Sequence, residues 1–162
     1  MAPSDLDAVM AVGAVVHAGF FERREVFAER LALYPQGCWM AQEEGGAVGG
    51  YAVMHPARLG LPPALDSLLL QIDPAADCLY LHDVALLPQA RGAGLGRALM
   101  QLLSGLMRGE RRAYAALVAV HGSAPYWRAC GFDAFAGASA ALREKLASYD
   151  AQAIYMVKPQ QD

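Results

Sequence analysis

Arg91, Gly92, Gly94 and Gly96 fall within six positions, between an apolar run ending in Leu86-Leu87-Pro88 and a leucine-rich stretch starting at Leu95. A glycine at every second position removes side chains where a backbone must approach something closely. A helix starting just behind such a loop offers unpaired N–H groups and the positive end of its dipole. Together these describe an anion site, and the anion expected is a phosphate or pyrophosphate. Two other Gly-rich loops fit less well. A Walker loop needs Lys-Ser or Lys-Thr after its last glycine, and here Arg97-Ala98 follows Gly96. A dinucleotide fingerprint needs glycines at its first, third and sixth positions. Counted from Gly92, the third is Gly94 but the sixth is Arg97.

The spacing that fits is Arg-x-x-Gly-x-Gly, read from Arg91, Gly94 and Gly96. With the strand before it and the helix after it, the chain resembles the GNAT superfamily of acetyl-CoA-dependent N-acetyltransferases. The resemblance implies that Arg91, Gly92, Ala93, Gly94, Leu95, Gly96 and Arg97 hold the pyrophosphate of coenzyme A. It also implies that backbone groups of Val84, Ala85, Leu86 and Leu87 bind the pantetheine arm and polarise the thioester carbonyl. A second stretch, Ser123 to Phe132, resembles the family's other signature of an Asn, an aromatic pair and Gly-Phe. Gly131-Phe132 matches; Ser123 stands near where Asn is common. The second aromatic of the pair, a tyrosine that protonates the departing thiolate in many relatives, is Trp127 here. Indole N–H is a donor but not a practical acid. Tyr126 lies one residue earlier, rotated by about 100° on a helix. Either Tyr126 still reaches the sulfur, or Trp127 lines the cofactor and water or another group supplies the proton. Two core aromatics remain a third reading.

Acetyl transfer to an amine requires the amine to lose a proton, and a Lys-like amine has a pKa near 10.4. It also requires a stabilised oxyanion and a leaving thiolate. Alternate residues of a strand share a face, so Tyr80, His82, Val84 and Leu86 are expected on one side, with Asp83 on the other. His82 has the side chain whose ordinary pKa suits a base at neutral pH. Arylalkylamine N-acetyltransferases, a subgroup of the family, place histidines at the positions of Tyr80 and His82. That likeness implies His82 as general base, through water, with Tyr80 as a pocket wall or water-ordering hydroxyl. A core histidine bonded to a backbone carbonyl is the plainer alternative. Asp83 reads as a structural hydrogen-bond partner.

The acceptor is expected around Phe20, Phe21, Glu22 and Tyr34, with Met54 and His55 from a neighbouring strand. Aromatic walls beside Glu22 suit a small amine with an aromatic or aliphatic body. A protein N-terminus or lysine is the competing acceptor, and a non-catalytic acetyl-CoA-binding module is the competing class.

Composition bounds these readings. The 162 residues suit one domain over residues 1–162. Hydrophobic residues at 56% and charged residues at 18% provide a core and argue against disorder. A net charge of -3 without a basic block disfavours nucleic acid as partner. Cys38, Cys78 and Cys130 are odd in number and widely spaced, so neither a disulfide framework nor a metal site is expected. The apolar run Ala8 to Phe21 follows Asp5 and Asp7 and contains His17, unlike a signal peptide or membrane span. A soluble cytoplasmic protein is expected, with a homodimer through the C-terminal strands as an option.

The elements expected to hold these residues make a mixed α/β chain. Helices are expected from Ser4 or Asp5 to Gly19 and over Arg24 to Leu33. A hairpin joins Cys38 to Gln42 with Ala47 to His55, around Glu44-Gly45-Gly46. A short helix is read over Leu65 to Leu70. The strand Cys78 to Leu87 is apolar nearly throughout, as in a strand buried on both faces. The following helix places Leu95, Leu99, Leu102, Leu103 and Leu106 on one face. Ala113 to Val120, Phe132 to Phe135 and Ala153 to Lys158 read as strands. Helices are read over Ala124 to Ala129 and from Ser139 to Ala147. This order matches the GNAT fold, a mostly antiparallel sheet flanked by helices.

Overall fold

The computed structural model describes residues 1–42, 45–137, 139–147, 149 and 151–160. Glu44 of the expected hairpin turn lies outside the described residues. Six strands form one sheet: β1 (Cys38–Gln42), β2 (Val48–Ala57), β3 (Cys78–Leu86), β4 (Tyr114–Ala119), β5 (Asp133–Ala134) and β6 (Ile154–Pro159). Their spatial order is β1-β2-β3-β4-β6-β5. Every pairing is antiparallel except β3 with β4. The helices are α1 (Leu6–Val16), α2 (Arg24–Leu33), α3 (Leu95–Gly109), α4 (Ala124–Ala129) and α5 (Ala140–Ala147).

The sheet is covered on both faces. Leu99, Leu103 and Met107 of α3 bury against Leu79, Leu81, Ala115 and Leu117. Their spacing is the helical repeat that the leucine pattern announces. On the other face Leu6, Val9 and Val12 of α1 join Phe27 and Leu31 of α2 against Tyr51, Val53 and Ala85. Leu142 and Leu146 of α5 continue that layer over Cys78, Tyr80 and Tyr155.

Two irregularities of β3 position the site. Its ladder with β4 runs only from Cys78↔Tyr114 to Leu81↔Leu117. Beyond Leu81 the two strands diverge and leave a fork. On its other edge, Val53 pairs with Asp83 but Met54 pairs with Leu81, so His82 is an extra residue without a partner on β2. This is a β-bulge, and it breaks the two-residue side-chain repeat. The expected alternation therefore fails at one point. Asp83 belongs with Tyr80 and Ala85 on the α1/α2 side, and Val84 packs on the α3 side.

Two helices differ from expectation. α1 stops at Val16 and not near Gly19; the chain turns at Gly19, whose φ is +95°. Leu65 to Leu70 forms no helix. Carboxylates from α2 and the loop before it take over its N–H groups. Leu69 and Leu70 donate to the Glu29 oxygens at 2.7 and 2.8 Å, and Asp66 donates to Glu22 Oε1 at 2.9 Å. Tertiary acceptors have displaced the local helical ones. Positive φ at Asp66 (54°) and Leu70 (66°) breaks the helical path at both ends.

Gly50 of β2 pairs with Leu86 near the end of β3. A Cβ there would overlap the Ala85 carbonyl oxygen and the Leu86 side chain. Gly50→Ala should therefore lower the unfolding free energy by about 1–3 kcal/mol. Urea unfolding would show this as a lower midpoint at unchanged slope. A wild-type midpoint would contradict the close approach of β2 to β3.

Candidate active site

A cavity of ≈ 970 Å³ fills the fork between β3 and β4. One end meets the glycine loop. Gly92 and Gly94 have φ of +84° and +79°, which side chains rarely adopt. A Cβ at either would meet nothing within 4 Å, so the space above the loop is open to a ligand. Gly94 caps α3, fifteen residues long, and turns its free N–H groups toward that space. Gly96 serves differently: its Cβ would fall 2.5 Å from the Tyr126 hydroxyl, so glycine lets Tyr126 fold over the helix start. Arg91 and Arg97 both line the cavity and add positive charge. The residues present fit a pyrophosphate.

The middle of the cavity is β3 beyond its ladder with β4. The Leu87 N–H donates to Gly49 O at 2.8 Å, toward β2. Backbone direction alternates along a strand, so Val84 and Leu86 turn their N–H groups to the open fork. Of the four backbone positions expected to bind the pantetheine arm, these two have free edges facing the cavity. Ala85 and Leu87 face β2, and their side chains sit against the α1/α2 layer. Ser123, Tyr126 and Trp127 line the opposite wall. Trp127 is also core, edge-on to Phe132. Tyr126 is half exposed and is not a core aromatic. Ala93 is exposed and does not line the cavity.

The far end is built by the bulge. His82 Nε2 stands 3.0 Å from Glu22 Oε2, with both side chains nearly buried. His17 Nε2 stands 2.8 Å from Asp83 Oδ1, and Tyr51 donates to Asp83 Oδ2 at 2.6 Å. Burial acts to raise the Asp83 pKa, but His17 and Tyr51 outweigh it and hold the carboxyl below its ordinary value. Burial likewise acts to lower His17, and Asp83 more than offsets it, so the imidazole pKa is raised. Tyr80, Phe20, Leu65 and Tyr149 complete the walls. Burial pushes the Tyr80 hydroxyl well above its ordinary pKa, so it stays neutral.

Four expected acceptor residues are not in the cavity wall. Phe21 points to solvent at 68% exposure. Tyr34 is buried in the α3 core, and its hydroxyl donates to Glu110. His55 lies behind His82, with ring centroids 5.8 Å apart and Nδ1 2.9 Å from Pro56 O. Burial, then the neighbouring His82, lowers its pKa to about 3, so it is neutral. Met54 is fully buried on the α3 side. His17, Asp83, Leu65 and Tyr149 are in the wall and were not expected there.

The model of the acetyltransferase (GNAT) family matches residues 14–132. The chain belongs to the GNAT family. It is accordingly an acyl-CoA-dependent N-acetyltransferase, with acetyl-CoA as the donor. No curated protein matches it in sequence. Among solved structures it is similar to GphF, a GNAT-like decarboxylase in complex with isobutyryl-CoA. The TM-score is 0.77 at 19% identity over 99% of this chain and 97% of that one. It is also similar to Ard1 from Thermoplasma volcanium, with TM-score 0.73 at 15% identity over 100% and 95% of the two chains. The ribosomal-protein-S18-alanine N-acetyltransferase from Escherichia coli gives 0.64 at 19% identity over 100% and 92%. At these identities the likeness is one of fold. Among the described residues no helix is long and apolar enough to cross a membrane, and no group of His, Cys, Asp and Glu is placed to hold a metal ion.

Two outcomes check this site. Gly94→Glu adds a side chain at positive φ and a negative charge at the loop, and should weaken acetyl-CoA binding at least about tenfold by calorimetry. Unchanged affinity would remove the loop from the cofactor site. The second outcome concerns pH. The raised His17 pKa gives stabilisation that is complete below the unfolded value of 6.5 and lost as pH rises through the folded value. The lowered Asp83 pKa gives stabilisation present above 3.8 and lost as pH falls through its folded value. The stability gap between wild type and His17→Gln should be widest between 3.8 and 6.5 and shrink above that window. A gap that stays flat on going to higher pH would contradict the ion pair.

Proposed function

We propose that the protein acetylates a small primary amine, with His82 as the general base. The observation that carries this is the nearly buried His82–Glu22 contact in the cavity wall. An amine arrives as its ammonium form, drawn by the Glu22 and Asp83 carboxylates. Acetyl-CoA supplies an acyl group activated as a thioester. His82 takes the amine proton, directly or through one water, and Glu22 stabilises the imidazolium that results. Val84 and Leu86 offer backbone N–H groups along the fork for the donor. Tyr80 and Tyr149 wall the acceptor, and Phe20 and Leu65 give it an apolar surface.

The small-molecule reading rests on how the acceptor end is roofed. The connection between α1 and α2 is fastened to the loop between β2 and β3. Arg23 Nε meets Asp66 Oδ2 at 2.8 Å, and the Arg23 N–H donates to Asp66 Oδ1 at 2.7 Å. The Asp66 N–H donates in turn to Glu22, the partner of His82. A peptide laid across this end would meet the bridge; a compact amine would not need to displace it. Asp83 opposes a carboxylate on the acceptor, which favours amines without an acidic group.

Acetyl-CoA at a hundred times its Kd should stabilise the fold by about 2.7 kcal/mol, a rise in Tm of roughly 5–10 °C. A panel of small amines and short peptides is then assayed by thiol release. Small amines should be turned over at least about tenfold more efficiently than peptides, a difference of 1.4 kcal/mol in transition-state binding. His82→Ala should lower kcat by roughly 10²-fold. A His82→Ala rate equal to wild type across pH 6–9 would remove His82 from the mechanism. Binding without turnover of any amine would leave an acetyl-CoA-binding module.

A further inference from the structure

From the ammonium form, amide formation takes two protons off nitrogen and puts one on sulfur: His82 takes one of the nitrogen's protons, water takes the other, and the sulfur's has still to be supplied. As the C–N bond forms, the C–S bond breaks and its electron pair stays on sulfur. The thiolate must then take a proton. Trp127 has no acidic proton to give. The Tyr126 hydroxyl lies over Gly96, at the pyrophosphate end of the cavity. From there the strand runs from Leu86 back to Asp83, roughly 10 Å at 3.3 Å per residue, before it reaches the end where the amine reacts.

His17 stands at that other end. It caps the C-terminus of α1, where the helix dipole favours a cation. Its ring lines the cavity, and its side chain is 19% exposed against 14% for Asp83. Asp83 is itself fixed, with Tyr51 donating to Oδ2 and His17 opposite Oδ1. His17 Nε2 stands 2.8 Å from Asp83 Oδ1, so the carboxylate holds this edge of the ring at the cavity wall.

We propose, resting on the N-acetyltransfer reading above, that His17 donates its Nε2 proton to the departing thiolate and that Asp83 positions it. The bulge then carries two histidine–carboxylate pairs of opposite sense. His82 takes the proton lost by the amine, and His17 gives one to sulfur. Both reset by exchange with water after the products leave. Four elements face His17 with titratable groups. Asp83 comes from β3, Tyr51 from β2, Glu22 from the α1–α2 connection, and His121 from the end of β4. The His121 ring stacks at 6.3 Å between centroids. Asp83 outweighs burial and favours the charged ring, the state an acid must start from.

The test is the pH profile of kcat for wild type, His17→Gln and Asp83→Asn, with Tm and acetyl-CoA affinity measured alongside. Wild type should lose activity on the alkaline side as His17 deprotonates. His17→Gln should lower kcat by roughly 10²-fold and flatten that alkaline limb. Its KM for acetyl-CoA should stay within about threefold. Asp83→Asn should move the limb down by about one pH unit or more, because the charge holding the proton is gone. A structural role would lower Tm or scale kcat without reshaping the profile. A His17→Gln profile with the wild-type limb, or an Asp83→Asn limb that does not move, overturns the assignment while His82 remains the base. If His17→Gln is too unstable to assay, the Asp83→Asn limb decides in the same sense. A wild-type protein that turns over no amine overturns this assignment together with the N-acetyltransfer reading.

Discussion

One extra residue in β3 sets the chemistry of this molecule. In a regular strand His82 and Asp83 would face opposite sides of the sheet. The bulge at His82, with Met54 opposite Leu81 and Val53 opposite Asp83, puts both on the face covered by α1 and α2. Each then meets a partner at one end of the same short connection, Glu22 or His17. The bulge sits where β3 leaves β4, so the side chains converge where the backbone edge opens. Bulges re-aim side chains in this way next to active sites. The fork binds the donor, the bulge aims the proton-handling groups, and their adjacency follows from one local irregularity.

The acceptor end depends on a second substitution of the ordinary for the tertiary. The segment between β2 and β3 is long and lacks regular structure, which usually marks a functional loop. Here Glu29 and Glu22 accept its N–H groups, Arg30 donates to Ser67 O at 2.7 Å, and Lys145 donates to Pro62 O at 2.9 Å. Arg30 can be fully buried because Glu29 neutralises it at 2.8 Å. These bonds hold the loop as a fixed wall. Glu22 belongs to both systems, since Oε1 holds the loop and Oε2 meets His82. A change in the wall is therefore felt at the proposed base.

Much of this was legible in the chain, and the limits have physical reasons. The glycine loop could be read because φ above zero and an open approach both demand glycine at Gly92 and Gly94. The α3 face could be read because five leucines keep a 3.6-residue period. His82 could be singled out by its chemistry. Its face could not, because no Gly or Pro marks the bulge. A one-residue slip reverses every following side chain, so Asp83 was placed on the wrong side. The Leu65–Leu70 segment failed as a helix because distant carboxylates outcompeted local carbonyls. Tyr34 was expected in the pocket as part of the first two helices and their loop, and His55 as part of the hairpin, but α3 buries one and β2 sets the other behind His82. His17 and Tyr149 carried no local signal at all; long-range packing alone brings them to the wall.

Compared with apolar packing, the two buried pairs are a costly way to fill this part of the core. Removing a carboxylate and an imidazolium from water costs several kcal/mol per ion after relaxation, and their attraction repays this only with good geometry and further hydrogen bonds. Here each pair stands at hydrogen-bond distance, 2.8 Å for His17–Asp83 and 3.0 Å for His82–Glu22, and among the described residues only Asp83 is shown with a further side-chain donor, Tyr51. Apolar residues of similar volume at His17, Glu22, His82 and Asp83 would extend the core formed by Val12, Phe27 and Val53. A fold shaped by stability alone would have little reason to gather four ionisable groups around one bulge. His17, Glu22, His82 and Asp83 all line the cavity, so the protons they hold are within reach of what binds there. The charge that makes these groups poor core packing is what makes them usable in the wall of an acyl-transfer cavity.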